Sequence, residues 1–305
     1  MAVIRKQGML VGVPGVLCAL ALLWVAGPAL ADSADIDTCT RCHDETEDYP
    51  VLPIFQTPHA AMADTRTGFA ERGCAACHGD MEAHLDDEEE PPQYTYRGHE
   101  DEVTSIRKQN EGCLNCHESD PHLIHWASSN HEFGDLACVS CHQIHTAHDK
   151  IRDRLTQHNV CASCHRQQDH EMRRPSRHPV PDGEMACSDC HQVHGSAGFG
   201  ADMKEPTVNE TCYSCHAGKR GPFLWEHFPV REDCTTCHQP HGSVHRGLLE
   251  MRGPQLCQQC HMQPHAFARF DGDELDFGRV AGQNCLNCHS QVHGSNHPDG
   301  HSFRR

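Results

Sequence analysis

The sequence predicts short α-helices and irregular loops, with little or no β-sheet, wrapped around a row of bound groups rather than around its own side chains. Three observations predict this. Of 305 residues only 37% are hydrophobic and 6% aromatic, too few to supply the buried apolar surface that a chain of this length needs. The pentapeptide C-x-x-C-H occurs ten times. Pro or Gly interrupts most of the intervals between those pentapeptides, as at Pro179, Pro181 and Gly183 or at Gly218, Gly221 and Pro222, which leaves little room for long helices or strands.

The first 31 residues read as a secretion signal. Arg5 and Lys6 form a charged start, an apolar stretch runs from Leu10 to Leu23, and Ala29-Leu30-Ala31 resembles an A-x-A cleavage site. Cleavage would start the mature chain at Asp32 and remove Cys18, whose neighbour Leu17 sits where a lipid-attachment site needs a small residue. The remaining chain has 23 basic and 43 acidic side chains, a net charge of −20. That acidic balance points away from nucleic acid. The exported chain also keeps an even number of cysteines, 20, in a compartment where disulfides are the ordinary expectation.

The spacing overrules disulfides, because all 20 fall in the pentapeptides. In chain order, CTRCH contains Cys39, Cys42 and His43; CAACH contains Cys74, Cys77 and His78; CLNCH contains Cys113, Cys116 and His117; CVSCH contains Cys138, Cys141 and His142; CASCH contains Cys161, Cys164 and His165. There follow CSDCH with Cys187, Cys190 and His191; CYSCH with Cys212, Cys215 and His216; CTTCH with Cys234, Cys237 and His238; CQQCH with Cys257, Cys260 and His261; and a second CLNCH with Cys285, Cys288 and His289. These are motifs 1 to 10. Two thiols three residues apart can each add to a vinyl group of one haem, and the next histidine reaches its iron, so the pattern reads as c-type haem attachment. Zinc knuckles need C-x-x-C pairs closing on four ligands, and a thioredoxin-like redox pair occurs once, in a strand-rich setting. Neither requires histidine after the second cysteine ten times in ten. The fold class is therefore that of a multihaem cytochrome c with ten covalently bound haem c groups.

Ten of the 29 histidines are used as proximal ligands, leaving 19. A consistent choice among these gives ten distal candidates: His59, His84, His131, His145, His178, His194, His227, His241, His265 and His293. Motifs 2, 4, 6, 8 and 10 each have one of these upstream and another close downstream, as in His178…CSDCHQVH. A short loop cannot bring both to one iron, so they serve different haems; the spacing leaves open which serves which. This two-motif repeat predicts an elongated domain over residues 32–305 made of five di-haem units, with approximate halves 32–165 and 166–305. The acidic run Asp86 to Glu90, followed by Pro91-Pro92, reads as a solvated linker. The basic segment Arg166 to Arg177 reads as a partner for haem propionates.

An iron held by two histidines has no open position, so such a haem passes electrons without binding a substrate. No catalytic residue is expected. A nitrite or sulfite reductase would need one iron with a vacant face, and a soluble electron shuttle would carry the same haems as a fixed wire.

The spacing of the motifs and the stretches PTVNETCYSCHAGKRGPFLWEH, RGPQLCQQCH and CLNCHSQVHGSNHPDG resemble the decahaem periplasmic cytochromes of the MtrA/DmsE type, over the whole mature chain and most closely from about Ser188 to Gly300. The resemblance implies an insulated wire of bis-histidine haems inside an outer-membrane β-barrel porin. It implies further partners: periplasmic or inner-membrane cytochromes as electron carriers, and an outer-surface multihaem cytochrome or terminal reductase. The run Asp86 to Glu90 departs from that pattern.

Overall fold

Each pentapeptide closes one helical turn, and the rest of the backbone is arranged around those turns. In nine motifs the histidine N–H donates to the carbonyl of the first cysteine at 2.8–3.1 Å; motif 3 lies inside the helix Ile106–His117. One turn of helix puts residues four apart on the same face, so the first cysteine and the histidine of each motif look the same way. The computed structural model describes residues 36–44, 50–197, 202–262, 269–270, 273–274 and 283–304. The N-terminal segment 1–31 with Cys18, the start of the mature chain at Asp32, and His265 lie outside them.

Odd and even motifs are built differently. Motifs 1, 3, 5, 7 and 9 begin in the last turns of the α-helices Ile36–Cys39, Ile106–His117, Arg154–Ala162, Val208–Tyr213 and Gly253–Gln258. Motifs 4, 6, 8 and 10 begin in single 3-10 turns, Cys138–Ser140, Cys187–Asp189, Cys234–Thr236 and Cys285–Asn287, and motif 2 contains the short helix Ala75–His78. The helices before motifs 5 and 7 start on side-chain caps. Asp153 accepts from the Leu155 N–H and Thr207 from the Glu210 N–H, satisfying amides that the helix cannot. The longest described helix, twelve residues, carries an Arg107–Glu111 ion pair at 2.6 Å one turn apart on an exposed face, a spacing that favours the helix.

Sheet structure is minimal, as the sequence predicts. Among the described residues one antiparallel pair of two-residue strands, Arg269–Phe270 with Asp273–Glu274, is present. Isolated bridges matter more because they recur at the two-motif pitch. Ser176 pairs with Ser243 and Trp225 with Ser295; His191 pairs with Met203 and His238 with Leu249. The first two join a segment two residues before one distal histidine candidate to a segment two residues after another. At these joints the backbones run so close that a side chain cannot intervene. A Cβ on Gly242, where φ is 150°, would collide with the Glu171 carbonyl, which only glycine avoids.

The apolar core is small. Among the described residues the buried apolar side chains are Ala60, Phe69, Ala75, Met81, Ala137, Met172, Val180 and Ala186, four of them alanines. Buried polar side chains hold the turns together instead. Asn110 Nδ2 donates to the Leu136 carbonyl while its Oδ1 accepts from the Cys138 N–H. Asn209 repeats the device, donating to Val230 and Arg231 and accepting from the Cys234 N–H at 2.8 Å. Each asparagine stands three residues before an odd motif and ties it to the first cysteine of the next even motif.

Asn209→Ala leaves the Cys234 amide and two carbonyls without their partner in a half-buried setting. The expected loss is about 2 kcal/mol of stability, read as a lowered melting temperature of the whole chain.

Candidate functional site

The ten motifs open into one connected cavity of about 5630 Å³. It is lined by both cysteines and the histidine of every motif, and by nine of the ten distal candidates. Shared among ten motifs the space is about 560 Å³ each, within the ~300–1,000 Å³ of a pocket for one organic ligand.

Across this cavity the histidines face one another in pairs. His43 faces His84, with ring centres 5.9 Å apart. His78 faces His145, His142 faces His194, His191 faces His241 and His238 faces His293, at 6.1–6.2 Å. His117 faces His59, His165 faces His131, His216 faces His178 and His261 faces His227, at 6.1–6.3 Å. Every pair joins a proximal histidine to a distal candidate. The separation is nearly constant while the angle between ring planes runs from 12° to 70°. Ring stacking would restrict the angle as well as the distance. A metal between two ring nitrogens fixes only the distance: an atom midway lies about 3 Å from each ring centre, matching a metal–imidazole bond of ~2.0 Å plus the radius of the ring. The residues present therefore fit a haem iron held from both faces.

The pairing rule is a ladder. Each of the even motifs 2, 4, 6 and 8 is met by the downstream histidine of the next even motif, and each of the odd motifs 3, 5, 7 and 9 by the upstream histidine of the preceding one. At the N-terminal end His84, downstream of motif 2, faces motif 1. The upstream and downstream histidines of an even motif thus point into different sites, as loop length demands.

Seven of these histidines are held at Nδ1 by backbone carbonyls. Nδ1 of His78, His84, His131, His178, His227, His238 and His289 donates to a backbone carbonyl at 2.6–3.0 Å. A proton held on Nδ1 leaves the Nε2 lone pair for a metal and fixes the ring orientation. Three of the acceptors, Val193, Pro240 and Val292, immediately precede His194, His241 and His293, so candidate ligands of neighbouring sites are locked to one another. Burial pushes His145 and His293 down to about 4 and lowers His59, His194 and His241, which keeps these imidazoles neutral and able to ligate.

The thiols run in the same sequence. First cysteines of motifs 1 and 2, 3 and 4, 5 and 6, 7 and 8, and 9 and 10 face each other. Burial, and after it the facing thiol, pushes Cys74 up to about 12 and Cys212 and Cys257 up to about 11. For Cys113 and Cys161 the hydrogen bond to Cys138 or Cys187 is the first cause of a rise. Burial first, and then a nearby thiol, raises Cys77 (beside Cys116), Cys141 (beside Cys164), Cys237 (beside Cys260) and Cys190 (beside Cys212). Electrostatic influence between neighbouring thiols thus runs from motif 1 to motif 10. All 20 thiols are free of disulfides, and among the described residues no three His, Cys, Asp or Glu converge as a bare metal ion would need.

Other expectations fare differently. The basic segment is engaged by the protein itself: Arg173 pairs with Asp169 at 2.9 Å, Arg174 donates to Gln239 and the Gly242 carbonyl, and Arg177 pairs with Asp182. Asp169 lies one helical turn before Arg173, Asp182 five residues after Arg177, and the acceptors of Arg174 at the joint between segments. The acidic run Asp86 to Glu90 is exposed as a linker should be, yet its Glu90 carbonyl holds His84. Of the extra histidines, His158 is buried, with Nε2 3.3 Å from Asp169, and His148 pairs with Asp153 at 2.7 Å.

Comparisons with known proteins match the same motifs. The model for the doubled CXXCH motif matches residues 178–221 and 227–266, and that for the cytochrome c-type protein NrfB-like family matches residues 74–156. The chain is 44% identical over 276 residues, 88% of its length and 81% of the relative's, to the multiheme cytochrome MtrA of Shewanella baltica (strain OS185).

Two outcomes test the pairing. His178→Ala should open the iron at motif 7, not that at motif 6 nine residues away in sequence: one haem in ten becomes high-spin, and the haem-methyl resonances that move belong to the Cys212 group. Ring planes are within 12–34° at motifs 2, 4, 6 and 8 but 62° and 70° apart at motifs 3 and 5. Ferric EPR should accordingly separate a rhombic low-spin class from a class with a large maximum g value. A single class contradicts the geometry.

Proposed function

The chain belongs to the MtrA family of multihaem c-type cytochromes, and from that premise we propose that it binds ten haems c and relays electrons along them between periplasmic carriers and the cell exterior, inside an outer-membrane β-barrel. It is an electron carrier rather than an enzyme. The observation that carries the reading is the ladder of facing histidines along one continuous cavity.

The count of ten rests on the pentapeptides, each with thiols for one haem and a proximal histidine. The same repeat supports five di-haem units within residues 32–305, since the first cysteines face each other within each odd–even pair. Nine proximal histidines have a histidine opposite. The rule that assigns those nine leaves His265 for His289, the mirror image of His84 at the other end. With both faces of every iron taken, the haems exchange electrons and bind no substrate.

Among the described residues no helix is long and apolar enough to span a membrane. A hydrocarbon layer is ~30 Å thick, and a barrel with a polar lumen would sheath a haem row through it. Ile124, Phe133, Leu155, Phe228 and Val244 are at least 66% exposed and do not line the cavity, so they offer contacts for such a sheath. Export through the N-terminal segment would bring the chain to the periplasm. There it would meet periplasmic or inner-membrane cytochromes on one side and an outer-surface multihaem cytochrome or terminal reductase on the other.

Intact mass of the exported protein should equal the chain plus ten haems. In vesicles holding an internal redox dye, reduction from outside should require both this chain and its barrel. Carbon monoxide binding to one reduced haem per chain would move the reading to a reductase, and a chain that forms no stable complex with a barrel would move it to a free shuttle.

A further inference from the structure

One candidate ligand differs from its equivalents in what holds its outer nitrogen. At motifs 2, 8 and 10 the proximal histidines His78, His238 and His289 donate from Nδ1 to the neutral carbonyls of Tyr94, Gly247 and Ser302. At motif 4 the proximal His142 donates instead to a carboxylate, Asp149 Oδ2, at 2.7 Å. The side chain of Asp149 is only 16% exposed, and its other oxygen accepts from the Gln143 N–H at 3.3 Å. Among the described residues no lysine or arginine pairs with it. Glu171 beside Nδ1 of His241 is farther, 3.6 Å away, beyond a good hydrogen bond.

We infer that Asp149 is a positioning residue that tunes a single haem: by drawing the Nδ1 proton of His142 it gives that ligand imidazolate character and lowers the reduction potential of the haem on Cys138 and Cys141. The inference rests on the reading of His142 and His194 as axial ligands. A hydrogen bond to an anion is shorter and stronger than one to a neutral carbonyl, and it makes the coordinating nitrogen a better donor. A better donor, with a negative charge a few ångströms away, stabilises ferric over ferrous iron. The half-buried carboxylate is poorly screened by water, so the effect stays local. Moving an electron onto the fourth haem then costs more than it would with a neutral carbonyl behind His142, so electrons do not come to rest there.

The test compares Asp149→Asn and Asp149→Glu with the unaltered chain, each checked by mass for its full complement of haem. In a spectroelectrochemical titration the Asn variant should move one of ten one-electron steps to higher potential, by about tenfold in its ratio of oxidised to reduced haem, or ~59 mV. The Glu variant should return that step toward its original place. In the unaltered ferric protein, one haem in ten should give a near-infrared charge-transfer band displaced toward that of imidazolate-ligated haem, a readout that survives even if the Asn variant loses haem. Ten haems with no step moved, or ten identical charge-transfer bands, overturn the tuning. A mass short of ten haems in the unaltered chain overturns the underlying reading instead.

Discussion

The structure depends on the constraint that a flat group must be gripped from both faces, and one short stretch of chain can grip only one. A C-x-x-C-H turn delivers two thiols and one imidazole to the same side. The opposing imidazole has to come from another segment, so the chain must return across every site. The ladder of facing histidines is the pattern of those returns, and it joins each even motif to the sites on either side of it. Loss of one ligand would then loosen a joint between units rather than a single loop.

With bound groups filling the interior, the protein's own core shrinks to alanines and a few larger side chains. What positions the turns is hydrogen bonding: Asn110 and Asn209 tie odd to even motifs, and Ser243 and Ser295 sit almost wholly buried at the cross-chain joints. Such buried polar groups are tolerated because each is satisfied. The close backbone approach at Gly242 comes from the same requirement, since His178 Nδ1 must reach the Pro240 carbonyl beside His241. Electrostatic differences among the sites arise at these outer nitrogens, where a carboxylate at motif 4 replaces a carbonyl found elsewhere.

The sequence by itself determined the attachment chemistry, because thiols, proximal histidine and the helical turn that aligns them are contained in five consecutive residues. It also singled out ten further histidines, nine of which the structure brings opposite a proximal one, and the parting of those that flank an even motif, since that follows from loop length. It foresaw short helices and scant sheet from the density of Pro and Gly. Tertiary structure alone decided that His145 meets His78 and His59 meets His117, as such pairings depend on how segments some sixty residues apart cross. It decided likewise that Arg173 and Arg174 are held by Asp169 and Gly242, where net basicity suggested propionates. The carboxylate behind His142 belongs to the same class: Asp149 is close in sequence, but nothing in the residues between indicates that the chain folds back to place it on the ring. Local covalent chemistry is written in spacing, whereas which two imidazoles share an iron is settled only when the chain closes around it.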